Sequence, residues 1–186
     1  MEMDGGPHLR SGLKRATAAV HARLDRRVGS MPLGGPREYA AFLSAQYAAR
    51  TIIEPEISGH DVYGLPDMPS QLPVLTADLA ALGCAPPEPH ATIRFETPAE
   101  ALGAAWVVAG SSMGNRVMLA QRRKAGCSGP DSFLSDTSMP GYFRQLLELL
   151  ESRADEIALT ETVCGARKAF ALFEESFAHH TLEIAA

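Results

Sequence analysis

The chain has 186 residues, a formal net charge of −5, and 46% hydrophobic against 21% charged residues. That is the length of one globular domain with enough apolar content for a core, and the acidic balance argues against a nucleic-acid backbone reader, which would carry a basic face. Only 6% of residues are aromatic, while Ala and Leu are abundant, a bias toward helix because neither loses much on entering one.

Residues 1–8 read as a flexible tail ahead of a single helical domain over 9–182. From 9 to 28, Leu13, Ala16, Val20 and Leu24 recur at helical spacing with basic residues between them, and Gly29 stands where helices commonly end. Pro36 suits the first turn of the next helix, which carries Tyr39, Phe42, Leu43, Gln46, Tyr47 and Ile53 until Pro55 disturbs its end. Residues 58–73 hold three prolines and two glycines and are expected to be largely irregular. A short helix over 71–82 is expected to stop at Gly83. Thr97, Pro98 and Glu100 form a capping-box signature that opens a helix over 98–124. Its last turn is basic (Arg122, Arg123, Lys124), as the negative end of a helix dipole favours. After a loop over 126–140, helices over 138–153 and 155–182 complete the chain. No strand pattern emerges, so the fold class is all-α.

The first ten residues lack the apolar run of a signal peptide, and residues 101–109, the most apolar stretch, are too short to span a bilayer. Cys84, Cys127 and Cys164 form no CxxC pair, which argues against a disulfide framework or a structural zinc site. A soluble, cytoplasmic protein with no membrane and no nucleic-acid partner is expected.

Two features carry chemistry. The first is GAAWVVAGSSMGNRVML, residues 103–119, with glycines at 103, 110 and 114. Each costs a helix roughly 0.5–1 kcal/mol against alanine, and all three fall on one stripe. A helix that strips its own face either admits a neighbouring helix or receives a flat ligand. Ser111 and Ser112 beside the stripe can bond back into the helix and soften it. The second is His21, near the apolar edge of the first helix. It is either a satisfied surface histidine or a neutral imidazole ligand of a metal. No HExxH or ExxH motif is present. His8, His60 and His90 fall in terminal or irregular segments, and His179 and His180 read as solvated helix-end residues. One isolated histidine suits heme ligation better than a multidentate site.

Four segments, in order over residues 9–180, resemble one family. LKRATAAVH places Lys14 seven positions before His21, as in the N-terminal signature of heme oxygenases. EYAAFLSAQY resembles the second helix of the bacterial members. GAAWVVAGSSMGNRV resembles their distal helix, commonly G-x-x-Y-V-x-E-G-S-x-L-G-G-R. ARKAFALFEESF resembles their terminal helix. The chain is similar to the bacterial-type, biliverdin-producing heme oxygenases.

The resemblance implies a helical bundle with heme between the first helix and the glycine-rich distal helix. His21 would hold the iron, Gly110 and Gly114 would cover the other face, and Ser111, Ser112 or Asn115 would hold ordered water for proton delivery. Lys14 and Arg144 would meet the propionates, with Arg116 and Arg167 as further candidates. Heme would be cofactor and substrate, O2 the oxidant, and an electron-donor protein such as a ferredoxin or a flavoprotein reductase the partner. Biliverdin, carbon monoxide and ferrous iron would be the products.

The pattern is broken at Trp106 (usually Tyr), Ala109 (usually acidic) and Asn115 (usually the second glycine of a pair). Ser111 stands where the larger animal-type enzymes carry aspartate. These departures leave room for a heme or tetrapyrrole carrier without turnover. A TenA-like thiamin hydrolase, on a similar helical architecture, would instead need a nucleophilic cysteine.

Overall fold

Seven helices run in chain order through the computed structural model, which describes residues 9–153 and 155–185, with side chains through residue 180. They are α1 (Leu9–Gly29), α2 (Pro36–Ser58), α3 (Leu72–Ala81), α4 (Pro98–Lys124), α5 (Ser132–Ser135), α6 (Ser138–Ser152) and α7 (Leu159–Ala185). No strand occurs among the described residues, so the all-α expectation holds. The tail expected over 1–8 lies outside the described residues.

Local signals account for most boundaries. Thr97 Oγ1 accepts the Glu100 N–H at 3.3 Å, and the Glu100 carboxylate accepts the Glu96 N–H at 2.9 Å, so the capping box closes one residue early. Gly83 and Gly126, just beyond α3 and α4, both have φ of +72°, the left-handed conformation that glycine adopts without strain. Pro55 stops nothing at once: it lies in the last turn of α2, and its own carbonyl accepts the Gly59 N–H at 3.0 Å. The expected loop over 126–140 contains α5. The Asp78 carboxylate on α3 accepts the N–H groups of Ser132 and Phe133 at 3.1 and 2.9 Å. This cap comes from a residue more than fifty positions away, so no local pattern announces it.

The bundle is organised around α7. Helix α4 packs along it most extensively, followed by α2 and then α1. The α4–α7 crossing is a backbone contact. A Cβ built on Gly103 would lie 1.9 Å from the Thr162 carbonyl oxygen, and one on Gly165 would lie 1.8 Å from that of Glu100. Gly103 is therefore a packing glycine and leaves the ligand stripe expected from its spacing. Phe42, Phe133, Phe173 and Phe177 fill the centre and are fully buried. Helix α1 leans on α7 and α6 but barely touches α4, so a gap opens between α1 and the C-terminal half of α4. No helix among the described residues is long and apolar enough to cross a membrane.

Candidate functional site

The gap is a cavity of about 350 Å3, lined by His21 on α1, by Trp106, Gly110, Ser111, Gly114 and Asn115 on α4, by Phe143 on α6 and by Phe170, Phe173 and Phe177 on α7. A second cavity of about 520 Å3 shares Asp25, Val28, Gly114 and Met118 with it, so the cleft continues toward the C-terminal ends of α1 and α4.

His21 is held from its own helix. Its Nδ1 lies 3.1 Å from the Asp25 carboxylate one turn on, and its ring sits edge-on to Phe170, with centroids 5.8 Å apart. When Nδ1–H donates to Asp25, the tautomer is fixed and the Nε2 lone pair is left for a ligand. Sequence reasoning passed over Asp25, although an acid four residues after a histidine on a helix was there to be read in HARLD.

Gly110 and Gly114 face space. A Cβ on Gly110 would make ordinary contact with the Phe143 ring at 3.6 Å, and one on Gly114 would meet nothing nearer than 4.0 Å. Among the described residues no contact requires glycine at either position, and the bare backbone is open to the cavity. Ser111 and Ser112 both bond back, Oγ to the carbonyls of Val108 and Ala109 at 2.7 and 2.6 Å. Asn115 is buried, and its side-chain N–H donates to the Phe133 carbonyl of α5 at 3.4 Å. Ala109 is buried and adds no polar group.

Behind Ser111 lies a polar group that the sequence reading missed. Arg50 is fully buried. It donates from Nη2 to Ser111 Oγ at 3.0 Å and from Nε to Gln46 Oε1 at 3.3 Å, and its Nη1 is 3.5 Å from the Glu54 carboxylate. Glu54 also accepts from the Ser70 hydroxyl at 2.6 Å. Burial pushes the guanidinium below its ordinary range while Glu54 pulls it back up. From so high a starting value it stays charged. The signal was present in the sequence: Gln46, Arg50 and Glu54 recur every four residues along an otherwise apolar helix, placing three polar groups on one buried stripe.

The donor set fits heme. One imidazole is oriented to give a single nitrogen ligand, opposite a bare helix face, in a slot walled by aromatic rings. A metal held by that one side chain must bring most of its own ligands, as a porphyrin does.

The fold is that of a known heme protein. The NO- and CO-bound heme oxygenase of Neisseria meningitidis superposes with a TM-score of 0.75 over 94% of this chain and 92% of its own, at 22% sequence identity. No protein-family model and no curated protein matches the sequence.

Other sequence candidates fall outside the cavity. Lys14 and Arg144 are exposed on α1 and α6 and do not line it, and Arg116 is exposed as well. Arg167 reaches across to the Ala16 carbonyl at 3.4 Å. His180 is not solvated: it is 6% exposed and packs edge-on against His179 and His90, with centroids 5.0 and 6.3 Å away. The linker over 84–97 covers the end of α7 there, a long-range contact that helix periodicity does not report. None of the three thiols lines the cavity. Cys164 is pushed above the ordinary thiol range, chiefly by its hydrogen bond to Glu100, the opposite of an activated nucleophile.

Proposed function

We propose that this protein is a heme oxygenase, taking heme to biliverdin, carbon monoxide and ferrous iron with O2 and electrons from an external donor protein, a ferredoxin or a flavoprotein reductase. The observation that carries the reading is the His21–Asp25 pair on α1 across one cavity from the bare backbone of Gly110 and Gly114 on α4.

Bound in this cleft, heme would supply both the redox metal and the ring that is oxidised. The chain's own residues would do the rest. His21 offers Nε2 as a neutral ligand, and Asp25 fixes its tautomer and ring orientation. Gly110 and Gly114 leave room for a small molecule between helix and ring, where a larger side chain would exclude it. Phe143, Phe170 and Phe173 would give the flat ring an apolar wall. Ser111 and Asn115 are the polar groups placed to hold an ordered water for proton delivery. Lys14 and Arg144, exposed on the two helices that border the cleft, carry charge suited to propionates.

The test is to add hemin to the purified protein, record the visible spectrum, then add a reductant under air, with His21→Ala in parallel. The expected result is a Soret band that needs His21 and that bleaches to a broad red absorbance on reduction. A stable Soret band without bleaching would leave a heme carrier on this fold. Absence of binding would overturn the reading.

A further inference from the structure

Helix α1 is held unevenly. Its buried residues, Leu9, Gly12, Leu13 and Thr17, all lie in its first half, and no residue of the helix after Thr17 is buried. The second half carries His21 and Asp25. It is tied to α7 by Arg23, whose Nη2 donates to the Glu174 carboxylate at 2.8 Å, a partly exposed pair of the kind that holds a helix weakly. Beyond the helix, residues 30–35 turn the chain into α2, and this connection faces the C-terminal end of α4 across the second cavity. Arg122 of α4 spans that gap. It is 7% exposed, donates from Nη1 to the Leu33 carbonyl, and lays its guanidinium over the Tyr39 ring at the start of α2, 3.6 Å from the centroid. A buried guanidinium needs such partners, and a cation over a ring face is held most firmly where water is excluded. Both contacts are to the chain just beyond α1, so Arg122 keeps them only while the α1–α2 connection stays against α4.

We propose that Arg122 is a positioning residue. It pins the α1–α2 connection to the end of α4 and so sets how far the His21 half of α1 stands from the bare face of Gly110 and Gly114. This rests on the heme reading for what the gap holds and not for its geometry. Arg122 acts through Leu33 and Tyr39 and does not itself line the cavity beside His21.

The pin is tested first in ligand-free protein, by hydrogen exchange resolved along the chain. Arg122→Met keeps an apolar stem and removes the charge and the donors. Amides over residues 20–35 are expected to exchange about tenfold faster, the weight of one hydrogen bond from a charged group, while those of α2 over 41–53 and α7 over 166–177 keep the parent's rates. Arg122→Lys retains a charged donor for the Leu33 carbonyl but not the planar group over Tyr39, and is expected to fall between the two. Unchanged exchange over 20–35, or acceleration spread evenly over α2 and α7, would overturn the proposal.

A covalent tether separates positioning from general damage. A Cβ on Gly34 would lie 3.5 Å from Cys127 Sγ, just beyond the end of α4, so Gly34→Cys brings two thiols within disulfide reach. In Gly34→Cys combined with Arg122→Met, oxidised glutathione takes the two electrons and two protons as the S–S bond forms. The closed form is expected to return exchange over 20–35 to the parent's rates, and reduction to raise it again. Two thiols that do not join, or a disulfide that restores no protection, would overturn the proposal. With hemin added, Arg122→Met is expected to keep the parent's Soret position, because His21 is untouched, and to release hemin about tenfold faster. Release at the parent's rate would overturn the link to His21. Failure of the unmodified protein to bind hemin would count against the heme reading and leave the exchange measurements to decide the role of Arg122.

Discussion

The two halves of α4 use glycine in opposite ways. In the N-terminal half, Gly103 lies against Thr162 of α7 and Gly165 of α7 lies against Glu100, so closely that a Cβ on either glycine would be driven into the other helix's backbone. The segment around it, from Ala99 to Ala105, is buried throughout. In the C-terminal half, Gly110 and Gly114 face a cavity, and Met113 and Val117, 54% and 58% exposed, line the cleft beside them. One half gives up side chains so that two helices can touch, the other so that a space can exist. The sequence spacing of the three glycines is the same signal for both purposes, and only the neighbours tell them apart.

The comparison breaks most sharply by adding single methyl groups. Gly165→Ala or Gly103→Ala places a Cβ within 2 Å of a carbonyl oxygen. Relief requires α4 and α7 to separate, so a loss of about 3 kcal/mol or more is expected, at or beyond the upper end of overpacking effects. Thermal melts followed by circular dichroism would measure it. A variant that melts with the parent would show that the crossing is not a backbone contact.

Next in size is the residue facing the open half. Asp25→Asn keeps the shape of the side chain but removes the charge that holds His21. A 10- to 100-fold loss of hemin affinity is expected, in the usual range for a group that orients a metal ligand. Unchanged affinity would mean that another group orients the imidazole. Gly114→Ala then tests the space directly, and its two effects have opposite signs. The added methyl meets only the flexible end of Met118, at 4.0 Å, so the ligand-free protein is expected to gain up to about 1 kcal/mol of helix propensity. Hemin binding or ligand access is expected to fall. A variant that gains stability and keeps both would show that the bare face has no occupant.

Much of this was legible in the sequence. The Thr97 cap, the Gly83 and Gly126 stops and the apolar periodicity are local, and local rules place α3, α4 and α6 within a residue or two of their ends. His21, Gly110, Ser111, Gly114 and Asn115 line one cavity. What escaped depends on contacts far along the chain. Helix α5 is capped by Asp78 from α3, His180 is buried by His90 from the linker, and Gly103 belongs to α7 and not to a ligand. Arg50 escaped for another reason. A charged residue on an apolar helix reads as a solvated one until its partners, Gln46, Glu54 and Ser111, are seen to enclose it.

The smallest expected effect lies in the clamp beside the closed crossing, where Lys168 on α7 reaches the Glu100 carboxylate at 2.7 Å. Burial alone would push the Glu100 carboxyl up. Hydrogen bonds from Lys168, from the Glu96 N–H and from Cys164 outweigh burial and hold it below the usual carboxylate range. A carboxylate held low in the folded state contributes stability that is fully present above its unfolded value, near pH 4.3, and is lost as pH falls through the depressed folded value. Glu100→Gln is therefore expected to cost about 1 kcal/mol or less at pH 7, given the partial exposure of Lys168. The gap between the parent and the variant should narrow as the solution is acidified below pH 4. Urea melts at a series of pH values would read that gap. A difference that stays constant into acid would mean that the glycine crossing holds α4 to α7 without help from the charge pair.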